Sequence, residues 1–98
     1  MSYLALFSIT PIGSGESVSK EVAKAFRVVK ESGVDCQLTS MGTIIETESI
    51  EQIMDILQKA IKEVEKDHNR VNVIIKLDCR KGKSGRIASK VNSVLEKL

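Results

Sequence analysis

Ninety-eight residues, 42% of them hydrophobic and 29% charged, suit one globular domain and lie far from the composition of disordered chains. Fifteen basic and thirteen acidic side chains leave a formal net charge of +2, which gives no global pull toward nucleic acid or an anionic membrane. The longest apolar runs, Tyr3 to Ile9 and Val71 to Leu77, fall well short of the ~20 residues of a membrane helix. With no basic segment leading into an apolar stretch and a cleavage site, a cytoplasmic location is expected.

Along the chain, Tyr3, Ala5, Phe7 and Ile9 alternate with Leu4, Leu6, Ser8 and Thr10, the period of a strand. Pro11 removes a ladder donor and Gly13-Ser14-Gly15 breaks the strand. Val18, Val22, Ala25, Phe26 and Val29 then recur at helical spacing, predicting a helix from Glu16 to Ser32 with Gly33 as its left-handed stop. Val34, Cys36 and Leu38 alternate again, and after Ser40-Met41-Gly42 a second extended run covers Thr43 to Thr47. This predicts a hairpin with Gly42 available for positive φ.

Ser49, followed three residues later by Gln52, is a capping-box signature. Behind it Ile50, Ile53, Met54, Leu57, Ile61 and Val64 form the stripe of a helix from Ile50 to Lys66. A turn at Asp67-His68-Asn69 leads to a last strand, Arg70 to Arg80, with Val71, Val73, Ile75, Leu77 and Cys79 on one face and Asn72, Ile74, Lys76, Asp78 and Arg80 on the other. The loop 81–85, with Ser84 as the expected N-cap, precedes a terminal helix striped by Ile87, Val91, Val94, Leu95 and Leu98.

The order β-α-β-β-α-β-α, with right-handed crossovers, predicts an α+β ferredoxin-like βαββαβ sandwich: one antiparallel sheet of order 4-1-3-2, both long helices on one side, plus a C-terminal helix. Cys36 and Cys79 then sit on opposite edges, three spacings or about 14 Å apart against a ~7 Å limit for a disulfide. Both are expected to be reduced, buried thiols, with no close Cys pair to frame a zinc or redox site.

Two helices cover one sheet face only. The other carries Leu4, Leu6, Ser8, Thr10, Ile74, Lys76 and Asp78, joined from the hairpin by Gln37, Thr39, Ile44 and Glu46. Leu4, Leu6, Ile44 and Ile74 left wet together would form a patch of the kind that marks an interaction site, so a second subunit or the terminal helix is expected over part of it. Lys76, Asp78 and Glu46 are either a solvated set of charges or, if enclosed, the polar groups of a ligand pocket; both readings stay open. Glu46 and Asp78 are also the best pair for acid–base work, although their spacing does not separate catalysis from binding.

Other motifs are weaker. Gly13-Ser14-Gly15 before a helix lacks the full G-x-G-x-x-G spacing, and Lys81 to Arg86 lacks the first glycine of a phosphate loop, where Asp78 stands. His68 is expected to decorate the surface. Strand one offers no aromatic platform for RNA, the loop after it has no C-x-x-C for metal delivery, and it has no arginine for acylphosphatase chemistry.

Three segments together are similar to a known family: Ser8-Ile9-Thr10-Pro11-Ile12-Gly13, Ser40-Met41-Gly42-Thr43-Ile44-Ile45-Glu46 and Lys76-Leu77-Asp78-Cys79-Arg80. Over essentially its whole length the chain resembles the small thiamine-binding, YkoF-like proteins. The resemblance implies a ferredoxin-like subunit, homodimers or homotetramers that pack sheet faces, and a non-catalytic pocket for thiamine or its hydroxymethylpyrimidine part. By position it points to Ser8, Thr43, Glu46, Lys76 and Asp78, and with Thr10, Met41 and Gly42 from the same segments these make the expected ligand-binding set; no cofactor and no nucleic-acid or membrane partner are expected. The chain departs where the family often has Pro before Met-Gly-Thr and Gly after the glutamate, here Ser40 and Thr47. A regulatory or structural module without a thiamine ligand, and an enzyme using Glu46 and Asp78 on a heterocycle, remain as alternatives.

Overall fold

In the computed structural model, which describes residues 1–13 and 15–98, seven elements follow in order. They are β1 (Ser2–Pro11), α1 (Ser19–Ser32), β2 (Asp35–Thr39), β3 (Gly42–Thr47), α2 (Ile50–Glu65), β4 (Val71–Arg80) and α3 (Arg86–Leu95). The sheet is antiparallel with order β2-β3-β1-β4, the 4-1-3-2 arrangement that the element order predicts. Among the described residues no helix is long and apolar enough to cross a membrane.

Period-two alternation is realised without a slip. Ala5, Phe7, Ile9 and Ile45 turn to the helix side and are buried with Ala25 and Val29 of α1 and Ile53, Ile56, Leu57, Ala60 and Val64 of α2. A one-residue shift would turn this set to the other face, so the core itself fixes the register. Ser49 caps α2 as its motif predicts: its Oγ accepts from the Gln52 amide at 3.2 Å, and Gln52 Oε1 accepts from the Glu48 amide at 3.1 Å. Gly33 ends α1 with φ 78°, the left-handed stop.

Several local expectations are corrected. Helix α1 starts three residues after Glu16, at Ser19, because Gly15 has φ 88° and the uncapped Val18 is the last non-helical residue. The Gly13-Ser14-Gly15 motif includes Ser14, which lies outside the described residues. Gly42 does not take positive φ: Ser40 and Met41 make the turn, and glycine is required because a Cβ would stand 2.9 Å from the Phe7 carbonyl oxygen. Cys36 and Cys79 are both free thiols, but Cys36 is only half-buried and Cys79 is exposed, since β4 is an edge strand and its C-terminal end projects past the buried core.

His68 is not surface decoration. Its ring is 15% exposed and its Nε2 lies 3.2 Å from Glu21 Oε1, while Lys24 Nζ meets Asp67 Oδ2 at 2.7 Å, so α1 is tied twice to the turn between α2 and β4. The N-cap of α3 is Gly85, in the left-handed region, and not Ser84. The terminal helix covers the open face only with its first turn. Arg86 is its one buried residue, and Val91, Val94, Leu95 and Leu98 are each more than half exposed.

Candidate functional site

Pairing puts the open-face side chains in cross-strand rows. Glu46, Leu4 and Asp78 share one row, and Ile44, Leu6 and Lys76 share the next. Ser8 pairs with Ile74 four residues beyond Leu4, about 13 Å along the strand. The residues expected to share a pocket are therefore distributed over two ends of the sheet.

At the α3 end the polar groups are closed on one another. Glu46, 8% exposed, accepts a short hydrogen bond from Ser2 Oγ and, through its other oxygen, bonds from the amides of Arg86 at 2.8 Å and Ile87 at 3.4 Å. A carboxylate from β3 thus caps the N-terminus of α3, where Gly85 has no side chain to do so. The Arg86 side chain, 3% exposed, donates from Nε to Ser2 Oγ at 2.9 Å and from Nη2 to the carbonyls of Ser2 and Asp78. Its Nη1 lies 3.0 Å from Asp78 Oδ2, which also receives Lys90 Nζ.

Both carboxyls titrate low for identifiable reasons. Burial is the largest single influence on Glu46 and raises its pKa, but the Ser2 hydroxyl and the two amides of α3 outweigh it and hold the group below the ordinary carboxylate range. Asp78 is lowered first by its Lys90 hydrogen bond and then by Arg86. A general acid at neutral pH needs the opposite shift, and both oxygens of Glu46 and Oδ2 of Asp78 are already engaged within the chain.

The hairpin end has the reverse character. The β1–β3 ladder stops at Phe7↔Thr43, whereas β1 continues against β4 as far as Pro11↔Val71, so among the described residues Ser8 to Pro11 have no strand partner on the β3 side. The Phe7 carbonyl points at Gly42, and the Ile12 amide donates to the Arg70 carbonyl at 2.9 Å on the opposite side. Strand alternation between those two marks directs the N–H and C=O of Ile9 into the vacant edge. A cleft of about 190 Å³ occupies this position, lined by Ser8, Thr10, Thr39 and Thr43 together with Val18, Val22, Leu38 and Met41. Gly42 lets β3 approach β1 at its rim, and Thr39 Oγ1 fixes the turn by donating to the Gly42 carbonyl at 2.8 Å and accepting from the Met41 amide at 3.2 Å.

Of the eight residues of the expected ligand-binding set, Ser8, Thr10, Met41, Gly42 and Thr43 line this one cleft. Lys76 and Asp78 line a separate groove on the open face, and Glu46 is enclosed under α3. Sequence reasoning missed Arg86 and Ser2, which organise the closed end; Arg86 stood at the end of the segment Lys81 to Arg86, weighed only as a phosphate loop that lacks its first glycine. The lysine Lys90, four residues after Arg86 and one turn along the same helix, was the available signal that a carboxylate lies beneath.

Comparison with known proteins agrees with this architecture. The thiamine-binding protein family matches residues 5–95. The chain belongs to that family. A UPF0045 protein of Mycobacterium bovis is 39% identical over 94 residues, spanning 96% of this chain and 92% of the relative. The crystal structure of a hypothetical protein from Methanocaldococcus jannaschii superposes with a TM-score of 0.88 at 35% identity and covers 97% of each chain. A Thermotoga maritima structure described as a candidate thiamine biosynthesis/salvage protein shares the fold at TM-score 0.83 and 18% identity, over 96% of this chain and 99% of its own.

Proposed function

We propose that the protein is a non-catalytic binder of thiamine or its hydroxymethylpyrimidine part, and that the pyrimidine ring enters the cleft at the hairpin end of β1. The vacant strand edge carries this reading. Ile9 offers one main-chain donor and one acceptor there, and an aminopyrimidine presents both kinds of group along one edge, as a pairing strand would. Val18, Val22, Leu38 and Met41 supply apolar walls, and Ser8, Thr10 and Thr43 in the same lining carry hydroxyls that would meet the remaining polar atoms. At about 190 Å³ the cleft is smaller than the ~300–1,000 Å³ of sites for drug-sized ligands, which favours a single ring over a whole two-ring vitamin. Membership of the thiamine-binding protein family supports the same ligand class.

Calorimetry with hydroxymethylpyrimidine and with thiamine tests this. Binding of the pyrimidine at least as tight as thiamine is expected, with loss in Gly42→Ala; no heat and no thermal shift from either at millimolar concentration would sink the assignment. We also propose that copies of the chain associate through the open face, because Leu6 and Ile74 remain 38% and 63% exposed there and α3 leaves them uncovered. Leu6→Asp is expected to reduce the mass measured by sedimentation.

A further inference from the structure

The helical wall of the hairpin cleft is held from the side and not from below. Val18 and Val22 supply that wall, and the Val22 amide donates to the Val18 carbonyl at 2.9 Å, closing the first turn of α1. No side chain caps this turn, and the buried residues of α1, Ala25 and Val29, begin only beyond it. Among the described residues, the polar side-chain ties from this part of α1 to another element are Glu21 to His68 at 3.2 Å and Lys24 to Asp67 at 2.7 Å. The wall therefore takes its position from this clasp.

The other half of the clasp is well anchored. The amides of Asp67 and His68 donate to the carbonyls of Val64 and Glu65, so the turn continues directly from the end of α2, where Val64 is buried. Two residues later the Arg70 carbonyl accepts from the Ile12 amide, just past the end of β1. The ionisable groups on the elements packed about the imidazole are Lys20, Glu21 and Lys24 of α1, Glu63, Glu65 and Lys66 at the end of α2, Asp67 beside it and Arg70 before β4. Asp67 is engaged by Lys24 and Glu63 by Lys66, while Glu21 meets the ring, with side chains 13% and 15% exposed.

Histidine is the side chain whose charge ordinarily changes between about pH 5 and 8. Glu21 stays ionised across that range: its own backbone amide first, and then His68 and Lys24, hold it below 4.5 against the opposing effect of burial. The contact is thus an ordinary hydrogen bond when the ring is neutral and a stronger, charge-assisted pair when the ring is protonated. We propose that His68 is a positioning residue for the cleft, which on protonation pins Glu21, closes the first turn of α1 and so preforms the wall made by Val18 and Val22. A wall already ordered spares the ligand the cost of ordering it, so affinity rises as the pH falls through the titration of His68. The affinity half of this inference rests on the pyrimidine reading, and the coupling of His68 to α1 does not.

Amide hydrogen exchange of the ligand-free protein tests the coupling, followed alongside the ring signal of His68, the only histidine in the chain. From about pH 8 to about pH 5.5, protection of the Val22 amide should rise about threefold with the midpoint of the ring titration, while that of Val29 stays level. His68→Gln, which keeps a donor and loses the charge, should hold Val22 at the lower value throughout, and Glu21→Gln should do the same. Affinity for hydroxymethylpyrimidine is the second readout. The ratio of wild type to His68→Gln, in which the ligand's own titration cancels, should grow about threefold over the same range. Level Val22 protection through the His68 titration, a Val22 response that survives Glu21→Gln, or a pH-independent affinity ratio for bound pyrimidine overturns the proposal. Absence of pyrimidine binding at every pH sinks the pyrimidine reading alone, because Val22 protection has then already decided whether His68 sets the wall.

Discussion

The two ends of the sheet carry similar numbers of polar side chains and use them in opposite ways. At the α3 end Ser2, Glu46, Asp78, Arg86 and Lys90 satisfy one another, so the chain has filled its own site. At the hairpin end the main chain of β1 outruns its partner, and hydroxyls surround an edge to which β3 offers nothing. The strongest ionisable groups in a small protein are thus a poor guide to where it binds: buried charge is tolerated where it is already paired, and a ligand is attracted to what has been left over.

The severest test of that contrast is Arg86→Ala. It leaves buried Glu46 without its cation and Ser2 and Asp78 without their donor, and should cost about 3 kcal/mol in urea unfolding while pyrimidine binding persists. If affinity at the hairpin cleft falls with it, the two ends are not independent. Gly42→Ala attacks the other end. A Cβ only 2.9 Å from the Phe7 carbonyl oxygen and 3.0 Å from Leu6 Cδ1 must push β3 away, for a loss of about 2 kcal/mol and of ligand heat together.

Glu46→Gln should be milder, about 1.5 kcal/mol, because the amide still accepts from α3 but loses the charge-assisted bonds. Acid reads the same groups. Glu46 and Asp78 are depressed from ordinary values of 4.5 and 3.8, so the folded chain binds fewer protons than the unfolded one. Their contribution is fully present above those ordinary values and is lost as the pH falls through the lower folded ones. Denaturant midpoints measured across that window should fall on acidification, and less steeply in Glu46→Gln. Thr10→Val is the smallest change: no shift in the melting midpoint, and about a fivefold weaker pyrimidine affinity if the hydroxyl holds the ring.

Much of this was legible in the residues. Alternation in Tyr3 to Thr10 and Arg70 to Arg80 assigned each side chain to its face, and the pairing Leu4↔Glu46 and Leu4↔Asp78 bears that assignment out. Ser49 and Gln52 marked the start of α2 to the residue. The segments around Ser8 and Met41-Gly42-Thr43 pointed to residues that do converge on one cleft. Glu46 and Asp78 were placed on the right face, but their occupation by Arg86 was invisible, because the Glu46 contact joins residues forty positions apart through a helix whose docking no local pattern encodes.

What the sequence determined by itself is therefore whatever depends on period and local caps: strands, helices, the two faces and the order of the sheet, since each follows from near neighbours along the chain. The tertiary structure alone decided which polar groups on the open face are satisfied and which are left over. That depends on where β3 stops against β1 and on how the first turn of α3 meets Glu46, two long-range closures in which a hydrogen bond made within the chain removes a group from the set a ligand can use.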